Sequence, residues 1–330
     1  MPKERLHYMD IAKGLMITFL MFGHFKTDFY SLGLASESLE KLTAWHDYFL
    51  VFYMQGFFLV TGYCANFDKP WKKFFVANVK GLIIPAVLFT IICRGILGVA
   101  EGQSGQQIIH YIFSSLGYWF LWALFFAKIL YYSIRKIQFS GLLLLLLSIV
   151  TACIYIYTST ENTIFWMNTL LCAPFLYVGE TLRNYSGKMR LICILSAVFF
   201  ISLVTILKYL SLPRPSVTAA IIIGSWKEIP LYLLLATTGS MSCLGLAKYI
   251  GKNYILELIG RNTLIIYCVH VFVLILIIRG INYAGLFGNA NLCTMSIFYV
   301  TASIAALFTS LGASVILSRY SIFKYLTGRW

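Results

Sequence analysis

Two histidines stand where an apolar chain has little ordinary use for them. His24 closes the stretch "YMDIAKGLMITFLMFGH", and His270 closes "IGRNTLIIYCVH". Imidazole titrates near neutral pH, so a histidine held among apolar residues is a candidate general base, acid or nucleophile. Lys13 precedes His24 by eleven residues. Eleven helical steps of about 100° return to within ~20° of the starting direction, so the two side chains share a face. Asp10 lies three residues before Lys13 on nearly the same stripe, where an i,i+3 ion pair offsets the cost of a cation in apolar surroundings. His24 is ~16 Å further along the axis. The stripe reads either as a lined passage or as three polar groups snorkelling to opposite interfaces.

Other polar residues join this set by depth. His270 falls about a dozen residues into a span that starts with Arg261 and Asn262, and a rise of ~1.5 Å per residue brings it to the level of His24. Tyr53, in "FYMQGFFLVTGY", lies on a span of opposite direction at a similar depth. Arg94 in "IICRGILG" and Trp119 in "GYWFLWALFF" are further substrate-binding candidates, although snorkelling and an interfacial aromatic belt are the ordinary uses of such residues. An interhelical hydrogen bond is the bland alternative for His270. The neighbours His46 and Asp47 form a weaker candidate pair, and Glu180 is expected to pair with Arg183 or solvent.

The elements that must position these groups are membrane helices. The chain is 60% hydrophobic, 17% aromatic and only 12% charged, too apolar for a water-soluble domain. Apolar runs of roughly 20 residues recur along it, each able to cross a hydrocarbon core of about 30 Å as a helix. Lipid satisfies no backbone N–H or C=O, which excludes other spanning structures for such runs. The spacing predicts an all-α polytopic membrane bundle of about ten spans, near 9–29, 46–66, 80–99, 116–134, 140–157, 163–182, 190–210, 229–247, 257–279 and 293–317. Residues 1–330 are expected to form one integral membrane domain, with the first span retained because no small-residue cleavage site follows it.

Basic residues fix the orientation, since Lys and Arg gather in cytoplasmic loops. With the N-terminus inside, sixteen of them fall in inner loops and six in outer ones, which places both termini in the cytoplasm. The +14 net charge then forms an inner surface suited to anionic headgroups or an anionic substrate rather than to nucleic acid. Lys72, Lys73 and Lys80 lie on that side. The eight cysteines are scattered singly, with no His/Cys cluster, so neither a disulfide framework nor a metal site is indicated. The longest outer segments are 30–45 and 211–228.

Five stretches together resemble the acyltransferase-3 family of integral membrane acyltransferases, in particular its fucose 4-O-acetylase-like branch: "YMDIAKGLMITFLMFGH", "FYMQGFFLVTGY", "VKGLIIPAVLF", "YWFLWALFFAKIL" and "LIGRNTLIIYCVH". The resemblance implies a ten-helix membrane enzyme with no tightly bound cofactor. It would transfer an acyl group, commonly acetyl, from cytoplasmic acyl-CoA to a hydroxyl of an extracytoplasmic carbohydrate. His24 inherits the catalytic role by position, with Lys13 in place of a frequent arginine and Asp10 fixing Lys13. Tyr53, Asn262 and His270 would orient the acceptor or donate to the oxyanion, and Lys72, Lys73 and Lys80 would attract the CoA phosphates. The chain departs from the family where Tyr53 and Gln55 replace the histidine and proline of a Phe-His-Met-Pro motif, and where the segment in which relatives tend to carry arginines has Asn78, Lys80 and Gly81. The implied setting is the cell membrane, with glycan-synthesis proteins or a second copy as partners. The competing reading is a transporter or flippase for a lipid-linked sugar or small solute, against which stands the missing inverted repeat. A non-catalytic component of a glycan-synthesis complex is the third.

Overall fold

The structure is a computed structural model that describes residues 6–44, 46–100, 102–114, 118–158, 161–185, 189–210, 228–288 and 290–320. Among these the regular elements are all helical: α1 His7–Ser31, α2 Glu37–Thr43, α3 His46–Phe49, α4 Tyr53–Cys64, α5 Trp71–Val99, α6 Gly105–Ser114, α7 Trp119–Ile134, α8 Ser140–Thr158, α9 Glu161–Asn184, α10 Met189–Tyr209, α11 Glu228–Ile250, α12 Tyr254–Arg261, α13 Thr263–Tyr283 and α14 Leu292–Arg319. Six of them, α5, α8, α10, α11, α13 and α14, are long and apolar enough to cross a membrane. The expected outer segment 211–228 lies, but for Glu228, outside the described residues.

Two of the expected spans are broken rather than continuous. The span predicted over 46–66 is α3, a turn and the 12-residue α4, which is only ~18 Å long and too short to cross alone. The turn is docked on α11: Ser240 Oγ donates to the Phe52 carbonyl at 3.1 Å, and the Phe52 ring occupies the space where a side chain on Gly239 would lie. The ninth span divides at Asn262, whose backbone leaves the helical region (φ −108°, ψ 10°). Its Oδ1 accepts from Ser314 Oγ at 2.8 Å. In both places a serine from another helix adds a tertiary hydrogen bond at the break, while the backbone ladder resumes from the same residue, with Gly56 N donating to the Phe52 carbonyl and Ile266 N to the Asn262 carbonyl.

α5 also departs from a plain helix, with π-helical turns at Val79–Ile83 and Thr90–Arg94. The first ends two residues before Pro85, which lacks an N–H and crowds the preceding turn, so a widened turn relieves both defects.

The helices pack as two compact units. The first comprises α1 up to Met16, α4, the start of α5, α7 from Ala123, and α8 to α12. Helices in lipid gain little from burying apolar surface, so close backbone approach and interhelical hydrogen bonds hold them instead. Gly62 of α4 sits on the Leu176 carbonyl of α9, and Gly179 of α9 on the Leu59 carbonyl of α4, with no room for a Cβ at either. Ser148 Oγ of α8 donates to the Leu170 carbonyl of α9 at 2.5 Å, and Gln55 Nε2 donates to Tyr232 Oη at 2.6 Å. The second unit holds α1 from Ile17, α2, α5 from Val76, α6, the first residues of α7, α13 and α14. An aromatic cluster fills part of it: the Phe25 ring lies 6.0 Å from Phe29 and 5.5 Å from Tyr299, and Phe29 meets Phe287 at 5.0 Å.

Gly179→Val should drive two backbones apart and destabilise the protein by about 1–3 kcal/mol or more. Gly280→Ala, at a position with open space around it, should leave stability nearly unchanged. Thermal unfolding of both variants in one detergent, followed by size-exclusion fluorescence, checks the pair.

Candidate functional site

His24 and His270 meet in the second unit. Their ring centroids are 4.7 Å apart and the planes cross at 78°, an edge-to-face arrangement. α13 delivers a fully buried His270, 1% exposed, whose Nδ1 lies 2.6 Å from the Tyr267 carbonyl oxygen three residues earlier. A carbonyl only accepts, so Nδ1 carries the proton in the neutral ring and Nε2 presents a lone pair. Nε2 is buried and has no partner among the described residues. α1 delivers His24, half-buried, with a buried Nδ1 that is likewise unpartnered among them. Buried polar nitrogens almost always find partners, so two bare ones on adjoining imidazoles make this pair the candidate site.

The helix carrying His270 is held in register by neighbours. Tyr118 Oη donates to the Cys268 carbonyl at 2.5 Å, and Cys93 Sγ reaches the same oxygen at 3.8 Å. The Tyr267 ring lies 5.7 Å from His270, 5.9 Å from Tyr118 and 5.3 Å from Phe120. On the other side, His46 Nε2 donates to the Phe19 carbonyl at 2.9 Å, five residues before His24 on α1. His46 thus braces α1; the Asp47 side chain lies outside the described residues.

The remaining candidates are distributed differently. Asp10 is 4% exposed; its Oδ1 pairs with Lys13 Nζ at 2.7 Å and its Oδ2 with Arg261 Nε at 3.5 Å. Arg261 also pairs with Glu257 at 2.8 Å, which in turn meets His7 at 2.8 Å. All five belong to the first unit. The network staples α1 to α12 where Gly14 sits on the Leu256 carbonyl and Gly260 on that of Asp10. Tyr53 is buried in the same unit at the head of α4, 6.4 Å from the Phe52 ring. Asn262 is engaged with Ser314. Trp119 packs on Phe120 at 6.2 Å, whereas its neighbours Tyr118 and Phe120 make the contacts to Tyr267. Arg94 falls in the second π-helical turn, and its side chain lies outside the described residues. Lys72 and Lys73 are exposed and Lys80 half-buried along α5. Glu180 pairs with Arg183 at 3.3 Å as expected and accepts from Tyr131 Oη at 2.5 Å.

A multi-pass helical membrane protein with an adjoining, bare-nitrogen histidine pair is the class that fold and site define. Residues 6–319 match the acyltransferase-3 family, described as an acyltransferase domain. The chain therefore belongs to this family of acyltransferases. No curated protein and no solved structure matches it significantly.

Asp10→Asn removes the charge shared by Lys13 and Arg261. Those cations are partly exposed, so a loss of about 1–3 kcal/mol is expected. Thermal unfolding reads the loss, and a double variant with Glu257→Gln whose loss differs from the sum of the two single losses by about 0.5 kcal/mol or more shows that the two carboxylates act as one network.

Proposed function

We propose that this protein is a membrane O-acyltransferase, and that it moves an acyl group, acetyl in the simplest case, from cytoplasmic acyl-CoA to a hydroxyl of an extracytoplasmic or cell-surface carbohydrate. The single observation that carries the reading is the His24–His270 pair, with ring centroids 4.7 Å apart and a buried unpartnered nitrogen on each, in a chain of an acyltransferase family. The pattern of basic residues supports an inner-side donor and an outer-side acceptor meeting within the cell membrane.

In this reading His24 takes the proton of the acceptor hydroxyl as its oxygen attacks the thioester carbonyl. Breakdown of the tetrahedral adduct breaks the carbon–sulfur bond, and the imidazolium returns its proton to the departing CoA thiolate. The products are an ester and CoA, with His24 neutral again. His270 acts as a positioning residue: the Tyr267 carbonyl holds its Nδ1–H, leaving Nε2 as an acceptor that can orient His24 and stabilise its protonated form. Asp10 and Lys13 serve the inner end of the same helix, and Lys72, Lys73 and Lys80 draw the anionic donor to that face.

Purified protein in liposomes, given labelled acetyl-CoA and a crude surface-glycan acceptor, should transfer label and release CoA. His24→Ala should lower the rate by about 10²–10⁴-fold with folded protein retained. His270→Ala should lower kcat more than it raises KM. Solute movement independent of acyl-CoA, with no CoA release, would instead favour the transport reading.

A further inference from the structure

A pocket of about 570 Å³ opens at the start of α5, lined by Asp68, Lys69, Trp71, Tyr132, Arg135 and Lys136 among others. Its volume lies within the ~300–1,000 Å³ usual for small-molecule sites. It is formed where the loop before α5 meets the end of α7, two segments that the distribution of basic residues places on the cytoplasmic side. The loop is tied down at two points. Tyr132 Oη donates to the Lys69 carbonyl at 2.8 Å, and Arg135 Nη2 pairs with Asp68 at 2.5 Å. Arg135 lies 5.9 Å over the Tyr132 ring and 3.9 Å from Glu180, so its charge is spent within the wall, and it holds the Asp68 carboxyl below the usual carboxylate range.

What remains on offer is a complementary set. Lys69 and Lys136 are exposed and form no ion pair among the described residues. Trp71 is 45% exposed, its ring 5.3 Å from Tyr132, while Tyr132 is covered by Phe74 at 4.5 Å. One aromatic face is therefore open and backed by a stack. The positive end of the α5 dipole, with Lys72 and Lys73 in its first turn, adds to the field. Two uncommitted ammonium groups beside an open indole select a ligand with both phosphates and a flat ring.

We propose that this pocket takes the phosphorylated purine nucleotide at the head of the acyl donor, with the purine on Trp71 and the phosphates on Lys69 and Lys136. The assignment rests on the acyl-CoA reading above and locates the donor's recognition on residues outside the lysine set Lys72, Lys73 and Lys80.

The full chain in phosphatidylcholine nanodiscs tests this with adenosine 3′,5′-bisphosphate, CoA, adenosine and a fluorescent phosphatidylglycerol as probes. The bisphosphate and CoA should bind and compete, and adenosine alone should bind far more weakly. Trp71→Ala should weaken bisphosphate binding by about 5–50-fold, with Trp71→Phe restoring most of it. The pair Lys69→Ala and Lys136→Ala should weaken it by about 10-fold and raise KM for acetyl-CoA with kcat kept. His24→Ala should bind the bisphosphate as the parent does. If CoA binds the parent and these pocket variants equally, the assignment falls while the donor reading stands. If the parent binds neither CoA nor the bisphosphate, both fall. Binding of phosphatidylglycerol alone, lost in the same variants, would make the pocket a lipid headgroup site and overturn the proposal.

Discussion

Lipid supplies no hydrogen bonds, and nearly every feature of this chain follows from that. A polar group among these helices must find a partner inside the protein or carry a substantial free-energy cost. Most do find one: Gln55 with Tyr232, Ser148 with the Leu170 carbonyl, Asn262 with Ser314, Asp10 with Lys13 and Arg261. A few buried atoms find none among the described residues, including Gln55 Oε1 and the Ser303 and Ser310 hydroxyls, and the bare nitrogens of His24 and His270 differ from these in belonging to two rings that adjoin. Their retention at a cost is the observation on which the proposed catalytic role rests.

The same constraint explains why the site rests on carbonyl oxygens. The Tyr267 carbonyl fixes which nitrogen of His270 bears hydrogen, the Cys268 carbonyl receives Tyr118, and the Phe19 carbonyl receives His46. Each is a helical oxygen with a spare lone pair, recruited without breaking the ladder. Together they set the rotation of α13 and brace α1, so the imidazoles face each other through backbone-anchored contacts. In the first unit, glycines do the matching work of bringing backbones into contact, as at Gly62 and Gly179.

Much of this was legible in the residues and some was not. Apolar runs reveal the helices, and counting depth from the cytoplasmic side brings His24 and His270 to one level. The spacing of Asp10 and Lys13 predicted their ion pair, which the structure contains at 2.7 Å. The extension of that network to Arg261, Glu257 and His7 was invisible, because it joins segments about 250 residues apart. The breaks at Phe52 and Asn262 were missed for a related reason: hydropathy averages over a window and does not register a short turn whose tertiary hydrogen bonds come from serines on other helices. Trp119 drew attention as the larger aromatic, although Tyr118 carries the hydroxyl that reaches α13. The rim pocket needed Asp68 to meet Arg135, and neither residue has a local pattern that announces the other.

The π-helical turns in α5 change what that helix shows to its surroundings. A bond from i to i+5 accommodates one residue more than the ordinary α turn, so each of the two turns sets later side chains back by ~100°. Beyond Thr90–Arg94 the accumulated offset is about half a revolution. A wheel drawn at constant pitch from Trp71 would therefore put Ile96 and Val99, both exposed, on the wrong side. Two stripes in the letters become one face in space, and Ile96 and Val99 return to the flank that carries the exposed Val76.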